Sequence, residues 1–237
     1  PRDPRVIYAN SQSGRAYQVD LETREERGIR PRPADPKEEY RFNWSSPLLI
    51  SPHDPAVVYY GGNKLFRTAD RGHTWDVISP DLSRNQDWKK LAVMGPERSA
   101  DTLSRDDGVS DYGTITSVAE SPRQQGLLYV GTDDGLIQVT ENDGGSWRKI
   151  EKFPGVPDMS YVSRVLASMH DQNTVYALFN NHQNGDFKPY LLKSTDTGRT
   201  WTSIEANLPE RGSLYAIAED HVNPNILFVG TEFGLFF

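Results

Sequence analysis

The chain has 237 residues, a formal net charge of −7 and no cysteine. The negative charge disfavours nucleic acid as the main partner, because binding to phosphates needs a basic face. Without cysteine there are no disulfides or thiolate metal sites, and the apolar runs are too short to cross a bilayer, so we expect no direct membrane insertion.

Taken in chain order, the predicted elements fall into five similar units. Each unit carries an aromatic anchor at the same place in a short strand, and these anchors are Tyr8, Tyr59, Tyr129, Tyr176 and Phe228. The units cover approximately 1–43, 44–113, 114–162, 163–212 and 213–237, and the second contains a long insertion at 80–113. A repeat of this length is typical of the blades of a β-propeller.

Each complete unit is predicted to contain four short strands, A to D. In the second unit they cover 46–51, 56–60, 64–68 and 75–79, with Gly, Asn, Asp and Pro between them. The predicted fold class is therefore all-β, a β-propeller of four-stranded antiparallel blades, three of them full and two partial. We expect one partial domain over 1–237, a fragment of a larger propeller of about seven blades; the alternative is an imperfect ring of five.

A turn with the pattern Ser/Thr-x-Asp/Asn-x-Gly-x-Ser/Thr-Trp occurs between strands C and D of the three complete units. A side chain at its third position can accept hydrogen bonds from the turn, and its glycine permits a positive φ. The tryptophan is expected to pack against a neighbouring blade, and the acid or amide is expected to be buried. Because the set recurs in each blade, we predict a structural role for Thr68, Asp70, Gly72, Trp75, Thr140, Asn142, Gly144, Trp147, Ser194, Asp196, Gly198 and Trp201.

These turns, together with the segments 42–47 and 230–235, resemble the BNR/Asp-box repeat superfamily. This superfamily includes sialidases, xyloglucan-cleaving glycosidases, sortilin-type receptors and photosystem-assembly propellers. The chain is most similar to bacterial repeat proteins described as glycosyl-hydrolase-like or sortilin/Vps10-like. The resemblance implies a propeller fold and an extracellular or periplasmic location. A sialidase is disfavoured because the chain lacks the Arg-Ile-Pro segment of that family.

The predicted topology places the D–A and B–C loops on the face opposite the repeated turns. Long loops on one face of a rigid repeat scaffold commonly carry binding residues. Glycosidase chemistry needs two carboxylates, and the candidates on this face are Asp107, Asp111 and Glu232, with Asp158 also near it. Candidate ligand-binding residues are Arg41, Asn43, Trp44, Tyr161, Arg164, His182 and Asp186. Trp44, Thr114, Tyr161 and Ser213 are expected to be equivalent positions at the start of strand A.

The sequence alone favours a scaffold that binds a protein or carbohydrate ligand on this loop face. One alternative is a glycoside hydrolase with part of its active site outside the chain, for which the xyloglucanase resemblance implies two Asp residues across a cleft between two propellers. A second alternative is a structural subunit of a larger assembly. We expect a polysaccharide or protein ligand and the remaining blades as partners, and no cofactor or metal.

Overall fold

The computed structural model describes residues 3–91, 99, 101–103, 111–205 and 207–237. Within these ranges the regular structure consists of short β-strands and three single-turn 3-10 helices at Gln12–Gly14, Trp88–Lys90 and His182–Asn184. The strands are β1 Val6–Asn10, β2 Ala16–Asp20, β3 Glu26–Gly28, β4 Leu48–Ile50, β5 Val58–Gly61, β6 Leu65–Thr68, β7 Asp76–Val77, β8 Ile115–Glu120, β9 Leu128–Thr132, β10 Ile137–Thr140, β11 Arg148–Ile150, β12 Tyr161–Ala167, β13 Val175–Asn181, β14 Asp186–Ser194, β15 Thr202–Ser203, β16 Leu214–Glu219, β17 Leu227–Thr231 and β18 Gly234–Phe236.

The strands form five antiparallel sheets that follow one another along the chain. β1–β3 and β16–β18 make three-stranded sheets, and β4–β7, β8–β11 and β12–β15 make four-stranded sheets, each in sequential order. The all-β propeller prediction is therefore confirmed. The outermost strand of the second sheet is shorter than the predicted 75–79: β7 has two residues, because its side chains are exposed and bury little apolar surface. β15 of the fourth sheet also has two exposed residues.

The apolar core lies between neighbouring sheets rather than at one common centre. Tyr60 and Phe66 of the second sheet pack on Ile29 beside the first. Leu65 packs with Ile115 and Val118 of the third sheet. The third and fourth sheets, and the fourth and fifth, bury further clusters in the same way. Since each inner sheet is covered on both faces, the sheets stack radially, as propeller blades do.

The innermost strands of adjacent sheets are also joined by hydrogen bonds. The Thr116 hydroxyl in β8 donates to the Val162 carbonyl in β12 at 2.6 Å, and the Ser163 hydroxyl in β12 donates to the Leu214 carbonyl in β16 at 2.8 Å. Thr116 and Ser163 both lie at irregularities in strand pairing. These bonds fix the relative height of the sheets, and therefore bring their B–C hairpins and the starts of their A strands to one end.

The repeated turns lie at the opposite end of the sheets. The buried side chain that holds each turn together is the Thr or Ser at its first position. Thr68, Thr140 and Ser194 accept from the backbone N–H of the turn glycine at 2.8–2.9 Å and are buried. Asp70 is exposed and accepts from the backbone N–H of Thr74 at 2.9 Å. The expectation of a buried acid or amide is therefore wrong: the turn carboxylate can remain hydrated while bonding its own turn.

The turn tryptophans pack on the preceding sheet. Trp75 Nε1 donates to the Ile29 carbonyl at 2.7 Å, and Trp147 Nε1 donates to the Ile78 carbonyl at 3.1 Å. Trp201 differs, because its Nε1 donates to Gly198 in its own turn while its ring meets Phe153 edge-on. The first two turns thus tie their own sheet to the end of the outermost strand of the sheet before it.

Candidate functional site

A cavity of about 500 Å³ opens at the end of the sheets opposite the repeated turns. We call it the loop-face cavity. It is lined by the D–A connections before β4 and β8, by B–C hairpins, and by the starts of β12 and β16. Its lining residues are Asn43, Trp44, Ser45, Asp111, Tyr112, Asp133, Tyr161, Ser163, Asn180, His182, Gln183 and Tyr215.

Five of the sequence-predicted site residues meet at this cavity: Asn43, Trp44, Asp111, Tyr161 and His182. Four others, Arg41, Arg164, Asp186 and Glu232, do not line it. Asp107 lies outside the described residues. The residues chosen on the loop face therefore include five that lie together at the cavity. The sequence did not distinguish residues that line the cavity from residues that hold its walls in place.

Two aromatic side chains of the cavity are exposed and a third is half-buried. Trp44 is 51% exposed and Tyr215 is 50% exposed, so both present ring surface to solvent. Tyr161 is half-buried, and burial raises its pKa to about 12, with the charge of Asp133 adding to the effect. Tyr161 is therefore uncharged at ordinary pH.

Asp133 is a buried carboxyl group on the cavity wall, and it was not among the predicted site residues. It sits in the hairpin between β9 and β10. The Thr114 backbone N–H donates to Oδ1 at 2.8 Å and the Thr114 hydroxyl donates to Oδ2 at 2.6 Å. Burial raises the pKa of Asp133 to about 7, although the bonds from Thr114 act in the opposite direction. Such a carboxyl group can carry a proton near neutral pH.

A signal for Asp133 was present in the repeat. It lies four residues after the anchor Tyr129, as Asn63 does after Tyr59 and Glu232 after Phe228. Each of these side chains accepts from the backbone N–H of a residue that leads into strand A: Arg41 for Asn63 at 3.1 Å, and Ser213 for Glu232 at 3.2 Å. We call this hydrogen bond, from the backbone N–H before strand A to the hairpin side chain, the hairpin clamp. The spacing from the anchor therefore places Asp133 at the position equivalent to Glu232, which was chosen for its place on the loop face.

Asp111 provides a second carboxylate on the cavity wall. Its side chain is exposed, and Oδ2 accepts from the Phe42 backbone N–H at 3.0 Å. That bond ties the end of the insertion to the segment that carries Asn43 and Trp44. Asp111 and Asp133 therefore reach the cavity from two different chain segments and in two different environments, one hydrated and one buried.

The residue beside Asp133 is also a buried acid, and it is held by Arg84. The Arg84 backbone N–H donates to Asp134 Oδ2 at 2.7 Å, and its Nε donates to the Asp134 carbonyl at 2.8 Å. Thr132 donates its hydroxyl to Asp134 Oδ1 at 2.6 Å. Burial nevertheless raises the pKa of Asp134. The start of the insertion thus fixes the hairpin that presents Asp133.

Arg41, predicted as a ligand-binding residue, is occupied by contacts within the chain. Its guanidinium donates to Asp81 Oδ2 at 2.8 Å, to the Ser83 hydroxyl at 3.1 Å, and to the carbonyls of Tyr112 and Gly113 at 3.2 Å. These groups lie at the two ends of the 80–113 insertion. Arg41 therefore fixes the ends of the insertion, and its effect on a ligand would be indirect.

The second sheet departs from the predicted alignment of strand A. The clamp position occupied by Thr114 and Ser213 is taken by Arg41, three residues before Trp44. Residues 44–45 form a turn before β4. Trp44 is therefore not equivalent to Thr114, because this turn moves it away from the strand. The same turn leaves its ring at the cavity mouth.

The remaining predicted residues occupy separate surroundings. Asp186 accepts from Asn181 Nδ2 at 3.0 Å and from the Tyr190 hydroxyl at 2.6 Å, at the base of the neighbouring hairpin. Arg164 is an exposed residue in β12, away from the cavity lining. Asp158 pairs with Lys152 on the surface. His182 lines the cavity and bonds to the Asn180 side chain through Nδ1.

The described residues hold neither a metal-binding cluster nor a membrane-spanning helix. Three or more His, Asp or Glu side chains do not come together anywhere in these ranges in a way that could hold a metal ion. In the same part of the chain, no helix combines the length and apolar character that crossing a membrane requires.

Fold and cavity together define a β-propeller with a ligand-sized cavity on its loop face. No protein-family model matches the chain. The xyloglucanase of Hypocrea jecorina is 26% identical over 136 residues, which is 52% of this chain and 16% of that enzyme. A probable oligoxyloglucan-reducing end-specific xyloglucanase of Neosartorya fischeri is 25% identical over 132 residues, with the same two coverages.

The solved GH74 xyloglucanase of Xanthomonas campestris has the same fold along nearly the whole chain. It superimposes with a TM-score of 0.63 at 20% identity, over 98% of this chain and 34% of its own. The chain thus corresponds to a minor part of the enzymes it matches. The comparisons support a relationship to β-propeller glycosidases, and they favour the glycoside hydrolase-like alternative over the interaction scaffold.

Proposed function

We propose that this chain binds a polysaccharide in the loop-face cavity, as the ligand-binding part of a glycoside hydrolase-like propeller. One observation carries the proposal: Trp44 and Tyr215 expose their rings on the same cavity wall that contains the carboxyl groups of Asp111 and Asp133. Aromatic rings offer flat apolar surface to sugar rings, and nearby amides and carboxylates can bond sugar hydroxyls. The cavity volume lies within the range of small-ligand sites.

The ligand class follows from the chemistry of the wall and from the relatives. Two matched proteins are described as xyloglucanases, and xyloglucan is therefore the first polysaccharide to test. A polysaccharide of this kind lies outside the cytoplasm, so the proposal also places the chain there. The described lining residues include two carboxylates and no Lys or Arg, a composition that suits a neutral polymer.

The last sheet supports a further part of the proposal, that additional blades of the same propeller flank this chain. Leu235 in β18 is 67% exposed. Its equivalents Leu65 and Ile137 are fully buried by aliphatic residues of the next sheet's first strand, such as Ile115 and Val162. An apolar face of this kind fits another blade.

Replacing Trp44 by alanine is expected to weaken binding of xyloglucan oligosaccharides at least about tenfold, because the stacking surface is lost. Isothermal titration calorimetry on the 237-residue chain measures this. Trp88→Ala is the matched control, since Trp88 lies in the insertion away from the cavity lining. Equal binding by both variants, or no binding by the unmodified chain to any polysaccharide of a neutral and acidic panel, would refute the proposed site.

Hydrolysis is a second candidate function, favoured by the two environments of the carboxyl groups. Glycosidases pair a carboxylic acid of raised pKa with an ionised carboxylate. Here Asp133 would donate its proton to the glycosidic oxygen as the C–O bond breaks. Asp111 would supply the ionised partner that water or the sugar carbon requires. The half-buried rings beside Asp133 would limit access of bulk water to that proton.

If the chain cleaves xyloglucan, Asp133→Asn and Asp111→Asn are each expected to reduce the rate by about a hundredfold or more, because each removes one proton-transfer group. Release of reducing ends from xyloglucan measures the rate. Asp158→Asn provides a control, as that exposed carboxylate pairs with Lys152 away from the cavity. Activity retained in both cavity variants would exclude this pair from catalysis while leaving the binding proposal intact.

A further inference from the structure

We propose that Thr114 is a positioning residue that holds the Asp133 carboxyl group toward the cavity through a hydroxyl locked as a donor by Asn43. The inference rests on the proposed function for its biological use, since it concerns the acid that would face a bound sugar. Its physical content concerns three side chains alone: Asn43, Thr114 and Asp133. All three are buried.

The chain of hydrogen bonds has a fixed direction. Asn43 Oδ1 accepts from the Ser45 backbone N–H at 3.1 Å, so the amide must turn its Nδ2 away from that turn. Nδ2 lies 3.0 Å from the Thr114 hydroxyl oxygen and can only donate to it. The Thr114 hydrogen is therefore free to point to Asp133 Oδ2, 2.6 Å away. A short bond of this kind favours the ionised carboxylate.

Comparison with the other hairpin clamps shows that a clamp can form without a hydrogen bond from a hydroxyl group. Asn63 and Glu232 both make the clamp through a backbone N–H, as Asp133 does. In the fifth sheet the equivalent hydroxyl, Ser213 Oγ, is buried and has no partner among the described residues. Holding the hairpin therefore does not need the hydroxyl bond. Its presence on Asp133, next to a cavity, points to control of the carboxyl group.

Several other charged or titratable groups face Asp133, and they limit what Thr114 alone can do. Asp134 follows it in the hairpin and disfavours a second charge, while Arg84 offsets Asp134. Burial raises the pKa values of Tyr112 and Tyr161, and the charge of Asp133 adds to both effects. Asp111 and His182 line the same cavity. Burial disfavours the ionised form of Asp133, whereas the hydrogen bond from the Thr114 hydroxyl favours it.

The test follows the side-chain carboxyl signal of Asp133 by ¹³C NMR as pH is varied. Thr114→Val keeps the side-chain shape but removes the hydroxyl, and we expect the Asp133 midpoint to rise by about one pH unit. Thr114→Ser restores the donor and should return the midpoint toward that of the unmodified chain. Asn43→Ala frees the hydroxyl to rotate, and a smaller rise is expected. Ser213→Ala is the control, because its hydroxyl has no partner in the described part of the chain.

An unchanged midpoint in folded Thr114→Val, or a shift of equal size in Ser213→Ala, would overturn the inference. Should Thr114→Val fail to fold, Asn43→Ala decides: a midpoint equal to that of the unmodified chain overturns it. Titration needs no ligand, whereas the binding proposal is tested separately with xyloglucan. Failure of one is therefore distinguishable from failure of the other.

Discussion

Gly144→Ala is expected to destabilise the fold by about 3 kcal/mol or more. Gly144 has φ +90°, and a Cβ at this position would lie 2.3 Å from the Ile78 carbonyl oxygen. That oxygen also accepts from Trp147 Nε1. The new methyl group would force the second and third sheets apart or break this bond. The atoms nearest to it are the carbonyl group and Cβ of Ile78, which cannot move aside as the end of a flexible side chain can.

Gly155→Ala separates the steric cost from the conformational one. Gly155 also has a positive φ, +76°, but a methyl group added there would meet no heavy atom within 4 Å. We expect a loss of only about 1–2 kcal/mol at this position, from the left-handed backbone alone. Chemical denaturation of both variants measures the difference. Equal losses would show that the repeated turn does not press on Ile78.

The repeat made the architecture predictable from sequence. Tyr59, Tyr129 and Tyr176 are equivalent anchors in β5, β9 and β13, and each is almost fully buried between sheets. Each unit needs an aromatic side chain at the same place, because each sheet packs against its neighbours in the same way. The repeat in the sequence therefore indicates the repeat in the fold. The shortness of β7 and β15 was less predictable, since an outermost strand has one free edge and its ends are set by few bonds.

The cavity was only partly predictable, for reasons visible in Trp44 and Asp133. Trp44 was placed on this face by its loop, but the turn at 44–45 moves it off the strand. Asp133 lies in a short hairpin, whereas sequence reasoning sought acids mainly in the long insertion. Its burial depends on Thr114, and the bond that orients Thr114 comes from Asn43, 71 residues away. Contacts of that separation leave no local pattern.

The final prediction concerns the pH dependence of stability, where Asp133 has an effect of unusual sign. In the folded chain its pKa is raised from 3.8 to about 7, so the folded state binds a proton that the unfolded state releases. The free energy of unfolding should therefore fall as pH rises from about 4 to about 7 and then level off. The full shift corresponds to about 4 kcal/mol at most.

Asp133→Asn is expected to reduce this decline to the part that comes from the raised pKa of Asp134. The amide does not titrate and can still accept from the Thr114 backbone N–H, as Asn63 does from Arg41 in its own clamp. Asp70 and Asp196 act in the opposite direction: their pKa values are lowered by bonds within the turns, and their contribution is lost only as pH falls below about 4. Urea denaturation at a series of pH values gives the curves. Asp158→Asn, which removes a carboxylate of lowered pKa, should keep the slope between pH 4 and 7. If the unfolding free energy of Asp133→Asn falls with pH as steeply as that of the unmodified chain, Asp133 is already ionised in the folded state at low pH. It would then have no proton to donate in acid catalysis.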